Sequence, residues 1–178
     1  GVLAGVIWQF APQARIIHLS HDIRRHDVME AALLLERCTP YFPSGTIHVV
    51  VVDPGVGTRR RAIAARLGNQ LFVGPDNGLI SLMQKRLLQE NQRIEIVHLN
   101  RPRFWLPDVS NIFHGRDVFS AVGGHLAAGV PLHELGDPVD DPVLLQIRLP
   151  KPLERGWLGI VTHVDSFGNL STNLTWEH

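Results

Sequence analysis

An aspartate, an arginine seven residues later and a histidine opening a helical stretch are the side chains here best suited to joint chemistry. Asp53 closes the apolar run Val49 to Val52, Arg60 follows the turn Pro54-Gly55-Val56-Gly57-Thr58, and His114 precedes Gly115-Arg116-Asp117. A carboxylate and a guanidinium hold each other rigidly and can keep a water or an imidazole in register. A histidine at a helix N-terminus feels the positive end of the dipole and tends to stay neutral, which suits a proton acceptor. All three are expected at the carboxyl-end rim of a sheet, where open α/β sheets place their sites. An ion pair with a capping histidine would use the same residues without any catalysis.

Other polar groups have competing readings. His18, His21, Asp22 and His26 crowd nine residues, and imidazole with carboxylate suits zinc or iron, but the spacing fits no standard motif. A polar loop is the favoured reading, ahead of the lining of a substrate site and of a metal. Asp27 with Glu30 three residues on resembles a capping box. Asp76 and Asn77, in Gly74-Pro75-Asp76-Asn77-Gly78, are turn formers or substrate contacts. The stretch Asp165-Ser166-Phe167-Gly168-Asn169 adds a flat ring and amide groups that a heterocycle could use, beyond the Gly-Asn that a turn needs.

The elements that position these residues follow from hydrophobic period and punctuation. The stretch opening at Gly1 to Trp8 reads as a helix stopped by Pro12, Ala14 to Leu19 as a strand, and Val28 to Arg37 as a helix. Thr46 to Val52 is expected to be a central buried strand, because four consecutive valines are too apolar for a half-exposed one. Arg61 to Leu67 and Gln70 to Val73 form a hairpin about Gly68-Asn69; Leu79 to Glu90 is a helix and Arg93 to Leu99 a strand. A helix through Ala128 stops at Gly129 with Pro131 beyond it. Gly136 to Pro142 reads as a linker, and strands at 144–149, 157–164 and 170–174 follow without helices. The expected architecture is α/β. A mostly parallel, Rossmann-like sheet flanked by helices occupies 1–137, and a partial all-β barrel occupies 138–178.

The 178 residues, 44% hydrophobic, can bury a core unaided. Lys+Arg and Asp+Glu number 17 each, so no basic field argues for nucleic acid or an anionic membrane. The lone Cys38 cannot form an internal disulfide, which fits a reducing, cytoplasmic setting. No apolar run approaches the ~20 residues of a membrane span. The opening Gly1-Val2-Leu3-Ala4 is helical in pattern without a capping residue, so further residues are expected upstream.

Four segments together resemble the S-adenosyl-L-methionine hydroxide adenosyltransferase family, which is related to the fluorinating and chlorinating enzymes. They are Val51 to Thr58, Phe72 to Gly78, Phe113 to Phe119 and Asp165 to Leu170. The resemblance implies hydrolysis of S-adenosyl-L-methionine to adenosine and L-methionine, by water or hydroxide attacking the ribose 5′ carbon. It implies a catalytic triad of Asp53, Arg60 and His114, and substrate contacts from Asp165, Phe167 and Asn169. It further implies homotrimers with the site between subunits, and no cofactor or metal.

Water rather than halide is expected from two departures. Hydroxyl residues line the halide site of the fluorinating branch, and the matching positions are Val56 and Gly115; a ribose-side tryptophan is matched by His26. A chlorinating relative with small residues there, or a non-catalytic adenosine binder, is the alternative. The family's opening strand, whose aspartate grips the ribose, and the rest of its barrel have no counterpart in this sequence.

Overall fold

The computed structural model describes residues 1–146, 149–165 and 167–175, and the chain separates into two compact units, Gly1–Leu144 and Leu145–His178. In the first unit, β1 (Ile47–Val49), β2 (Ala62–Leu67), β3 (Gln70–Pro75), β4 (Ile94–His98) and β5 (Asp137–Pro138) form one sheet in the order β1-β3-β2-β4-β5. This corrects the expectation of a mostly parallel, Rossmann-like sheet: β1 and β3 run parallel, while β2–β3, β2–β4 and β4–β5 are antiparallel. The cause is local. Gly68 adopts φ +62, so Gly68-Asn69 closes a two-residue hairpin between β2 and β3, and strands so joined must run antiparallel.

Helices cover both faces. On one, α2 (Val28–Cys38) and α3 (Ser81–Gln89) bury Ala31, Leu35, Met83 and Leu87 against Ile63, Ala65 and Phe72. On the other, α4 (Ala121–Ala127) and the turns about Phe104 and Leu132 enclose Val73, Val97, Phe119 and Val122. Phe72 and Phe119 are fully buried, each contributing about 1.5–3 kcal/mol from area removed from water. α1 (Val2–Phe10) lies along α4, and α2 starts as its capping signal predicts, with the Asp27 carboxylate accepting the Glu30 N–H at 2.9 Å.

Three expectations change. β1 is an edge strand of the described sheet rather than a central one: Val49, Val50 and Val52 pack partly buried against the two cores, while Val51, beyond the strand's end, is 41% exposed. Residues 14–19 form no ladder. The linker expected at 136–142 is bound to the sheet, because β5 pairs with β4 and Val139 donates its N–H to Ile96 O at 2.9 Å.

In the second unit, β6 (Lys151–Pro152) pairs with β7 (Trp157–Leu158), and β8 (Val161–Val164) with β9 (Leu170–Thr172). These are separate two-stranded ladders, and no closed barrel forms among the described residues. The strand expected at 144–149 lies partly outside the described residues.

Candidate active site

Asp53 and Arg60 are the first and last residues of a loop that leaves β1 and enters β2. The loop is folded on itself: Val56 N–H donates to Asp53 O at 3.3 Å, Thr58 N–H to Gly55 O at 3.1 Å, and the Thr58 hydroxyl to Gly55 O at 2.7 Å. Gly57 adopts φ +77, and a Cβ there would lie 3.0 Å from Asn111 O, so glycine both permits the turn and lets residues 107–113 lie against it. The turn brings the two side chains face to face. Arg60 Nε donates to Asp53 Oδ1 at 3.0 Å and Nη2 to Oδ2, a bidentate pair whose side chains are only 7% and 6% exposed. Burial removes the competing water, so breaking such a pair leaves an uncompensated charge.

His114 completes the cluster from a different element. It precedes a π-helical turn, Gly115–Ser120, in which the Ser120 hydroxyl satisfies Gly115 O at 2.7 Å, and such turns recur at functional sites. Arg60 Nη2 lies 3.1 Å from His114 Nδ1. A guanidinium has donors and no acceptor, so Nδ1 must be the bare nitrogen and Nε2 carries the hydrogen. Burial and then the Arg60 charge hold the imidazole below its ordinary value, opposed by Asp53 and Asp117, so the ring is neutral near pH 7. Nδ1 is taken and Nε2 is protonated, so His114 offers a hydrogen-bond donor to a ligand. Arg60 Nη1 is a second donor, buried without a hydrogen-bond partner among the described residues. The combination suits an oxygen carrying negative charge.

Supporting residues include several that sequence reasoning missed. The Phe119 ring lies 5.4 Å beneath the Arg60 guanidinium, and its place five residues after His114 on a helical turn was the available signal. Asp117 is fully buried; burial raises its carboxyl, but hydrogen bonds from Arg116 and from Ser110 N–H at 2.8 Å outweigh that and hold it low. It thereby ties the 107–113 segment to the turn that bears His114.

The remaining candidates lie as follows. Asp76 is buried, its carboxylate taken by Arg61 and by Val143 N–H at 2.8 Å; Asn77 donates Nδ2 to Val52 O at 2.9 Å. Val56 is half-buried within the loop. Gly115 is buried against Val51, where a Cβ would meet Val51 Cγ1 at 2.5 Å, so residue 115 has no room for a hydroxyl side chain. His26 is exposed at φ +67, immediately before the Asp27 cap. His18 and His21 pair with each other at 3.0 Å, and no three His, Cys, Asp or Glu groups gather as metal ligands would among the described residues. In the second unit, the Asp165 carboxylate accepts Phe167 N–H at 2.9 Å, Asn169 N–H at 2.8 Å and Asn169 Nδ2 at 2.7 Å, which leaves the Phe167 ring 90% exposed.

Comparison with known proteins shows what the chain is similar to. The chain is 42% identical over 171 residues to the (R)-S-adenosyl-L-methionine hydrolase of Salinispora tropica, spanning 93% of this chain and 63% of that protein. It is 42% identical over 179 residues to the hydrolase of the same name from Thermus thermophilus, spanning 97% of this chain and 68% of that one. A fluorinase of an Actinoplanes species is more distant, at 26% over 197 residues, 96% of this chain and 65% of that enzyme. A crystal structure of a conserved protein from Thermotoga maritima superposes with a TM-score of 0.87 at 37% identity, over 99% of this chain and 67% of that one. The chain thus spans less than two thirds of the Salinispora tropica relative. Residues 1–136 match the SAM hydroxide adenosyltransferase N-terminal domain, and the chain belongs to that family.

Proposed function

We propose that the protein hydrolyses S-adenosyl-L-methionine to adenosine and L-methionine. The observation that carries this is the buried Asp53–Arg60 pair with His114 on its free face; the hydrolase names of relatives at 42% identity support it. The substrate carbon is already activated by its positive sulfur. An oxygen from water bonds to C5′ as the C5′–S bond breaks, the electron pair returns to sulfur, methionine leaves as a neutral thioether and the water's proton passes to solvent. No cofactor is required. The enzyme's task is to place the oxygen in line and stabilise the charge it carries as it loses a proton. Arg60 Nη1 and the Nε2–H of His114 are the donors for that oxygen, and Asp53 fixes Arg60. This reading makes His114 a donor to hydroxide rather than the base that takes the proton.

Water is favoured over halide by Val56 and Gly115, which bring no hydroxyl to the site. The substrate contacts proposed for His26, Asp165, Phe167 and Asn169, the homotrimer with its site between subunits, the cytoplasmic setting, and the second unit as the start of a barrel rest on the family resemblance. Incubation of the purified protein with S-adenosyl-L-methionine tests the activity. Adenosine and methionine in equal amounts support it; a raised melting temperature without adenosine identifies a binding module, and halogenated nucleoside in the presence of chloride a halide-using enzyme.

A further inference from the structure

The catalytic loop stands as an arch over the end of one strand. β3 lies between β1 and β2 in the sheet, so a chain leaving β1 after Val49 and entering β2 at Ala62 must cross the carboxyl end of β3. That end continues directly into Asp76 and Asn77. Asn77 Nδ2 donates to Val52 O at 2.9 Å, holding the residue just before Asp53. Asp76 holds the residue just after Arg60: its carboxylate takes Arg61 Nε at 2.9 Å and Nη2 at 2.8 Å, and its N–H donates to Arg61 O at 2.9 Å. The Asp76 side chain is 2% exposed, and Asp141 Oδ1 braces Arg61 from outside at 2.7 Å. Successive arginines thus face apart, Arg60 to Asp53 and His114, Arg61 to Asp76 and Asp141.

We propose that Asp76 and Asn77 are positioning residues: one dipeptide fixed to the sheet grips both feet of the loop and so sets the Asp53–Arg60 pair against His114. The proposal rests on the reading above, in which that pair acts on the attacking oxygen. It gives the dipeptide a role other than the substrate contact expected from sequence. Displacement of about 1 Å at a reacting group can cost 10²-fold in rate, so small movements at the feet suffice.

The test uses Asp76→Asn, Asn77→Ala and the double variant. Each single change should lower kcat roughly 10-fold while KM moves less than about 3-fold, and the double variant should fall little further, because the arch is released once either foot is free. Asn77→Ala strands no buried charge and folds even if Asp76→Asn does not. A second readout needs no substrate: withdrawal of Arg60 removes a charge that holds His114 down, so its imidazole titration, followed by NMR, should move up in each variant. Should KM rise with kcat retained, the dipeptide contacts substrate directly and the proposal is overturned. Unchanged kcat and unchanged His114 titration in folded variants overturn it equally. Wild-type protein that releases no adenosine would refute the hydrolase reading, and the titration would still decide the positioning role.

Discussion

Two aspartate-headed turns, 53–60 and 165–169, achieve order in opposite ways. In the second, Asp165 is satisfied by groups two and four residues on, and the ring between them projects into solvent. In the first, Asp53 is satisfied by Arg60 at the far end of the loop, and the pair is completed by His114 and Phe119 from another element and framed by Asp76 and Asn77 from a third. The local turn leaves a side chain free to meet a ligand. The long-range one removes water from a charge pair, which is what makes its electrostatics strong.

The contrast is most directly broken by Arg60→Met. A buried Asp53 without its partner should cost about 3–5 kcal/mol in denaturant unfolding and abolish adenosine release. The Asp165→Ala variant probes the other side of the comparison. It should leave the unfolding midpoint of the first unit unchanged, since its bonds close within the turn, and act on KM; a collapse of folding would show that the turn is not local.

Next in size is His114→Ala, expected to lower adenosine release about 10²-fold with substrate binding retained, the usual loss for one donor to a developing oxyanion. His114 also gives the pH dependence its sign. Its folded value is lowered, so the neutral ring and its stabilisation are fully present above the ordinary value of 6.5 and are lost as pH falls through the lower folded value. Protonation adds a hydrogen to Nδ1 and so removes the acceptor that faces Arg60 Nη2, so release should hold steady from neutral pH down past 6.5 and decline below it as the cluster is pushed apart. A decline centred above 6.5 would place His114 outside the Arg60 field. The smallest effect is Gly115→Ser, where the crowding against Val51 should cost about 1–3 kcal/mol of stability in thermal unfolding.

The legible parts share a property: each is decided within a few residues. The Asp27 cap, the Gly68-Asn69 hairpin, the helices and the loop glycines follow from local sterics and hydrogen bonding. The acid, arginine and histidine were legible as a set because their chemistry is complementary. The valine run misled because apolar character says that a strand avoids water, without saying which neighbour covers it. The linker misread at 136–142 has the same origin, since Asp, Pro and Gly mark a turn whether or not it pairs with a sheet.

Sequence alone determined the types of group available and the places where the chain must bend. Tertiary structure decided that β3 lies between β1 and β2, hence that the loop arches over Asp76 and Asn77, that Arg60 rather than solvent meets Asp53, and that the His114 nitrogen facing Arg60 carries no proton. Those outcomes depend on burial and on strand order, which are properties of residues far apart in the chain and become defined only when the sheet closes around them.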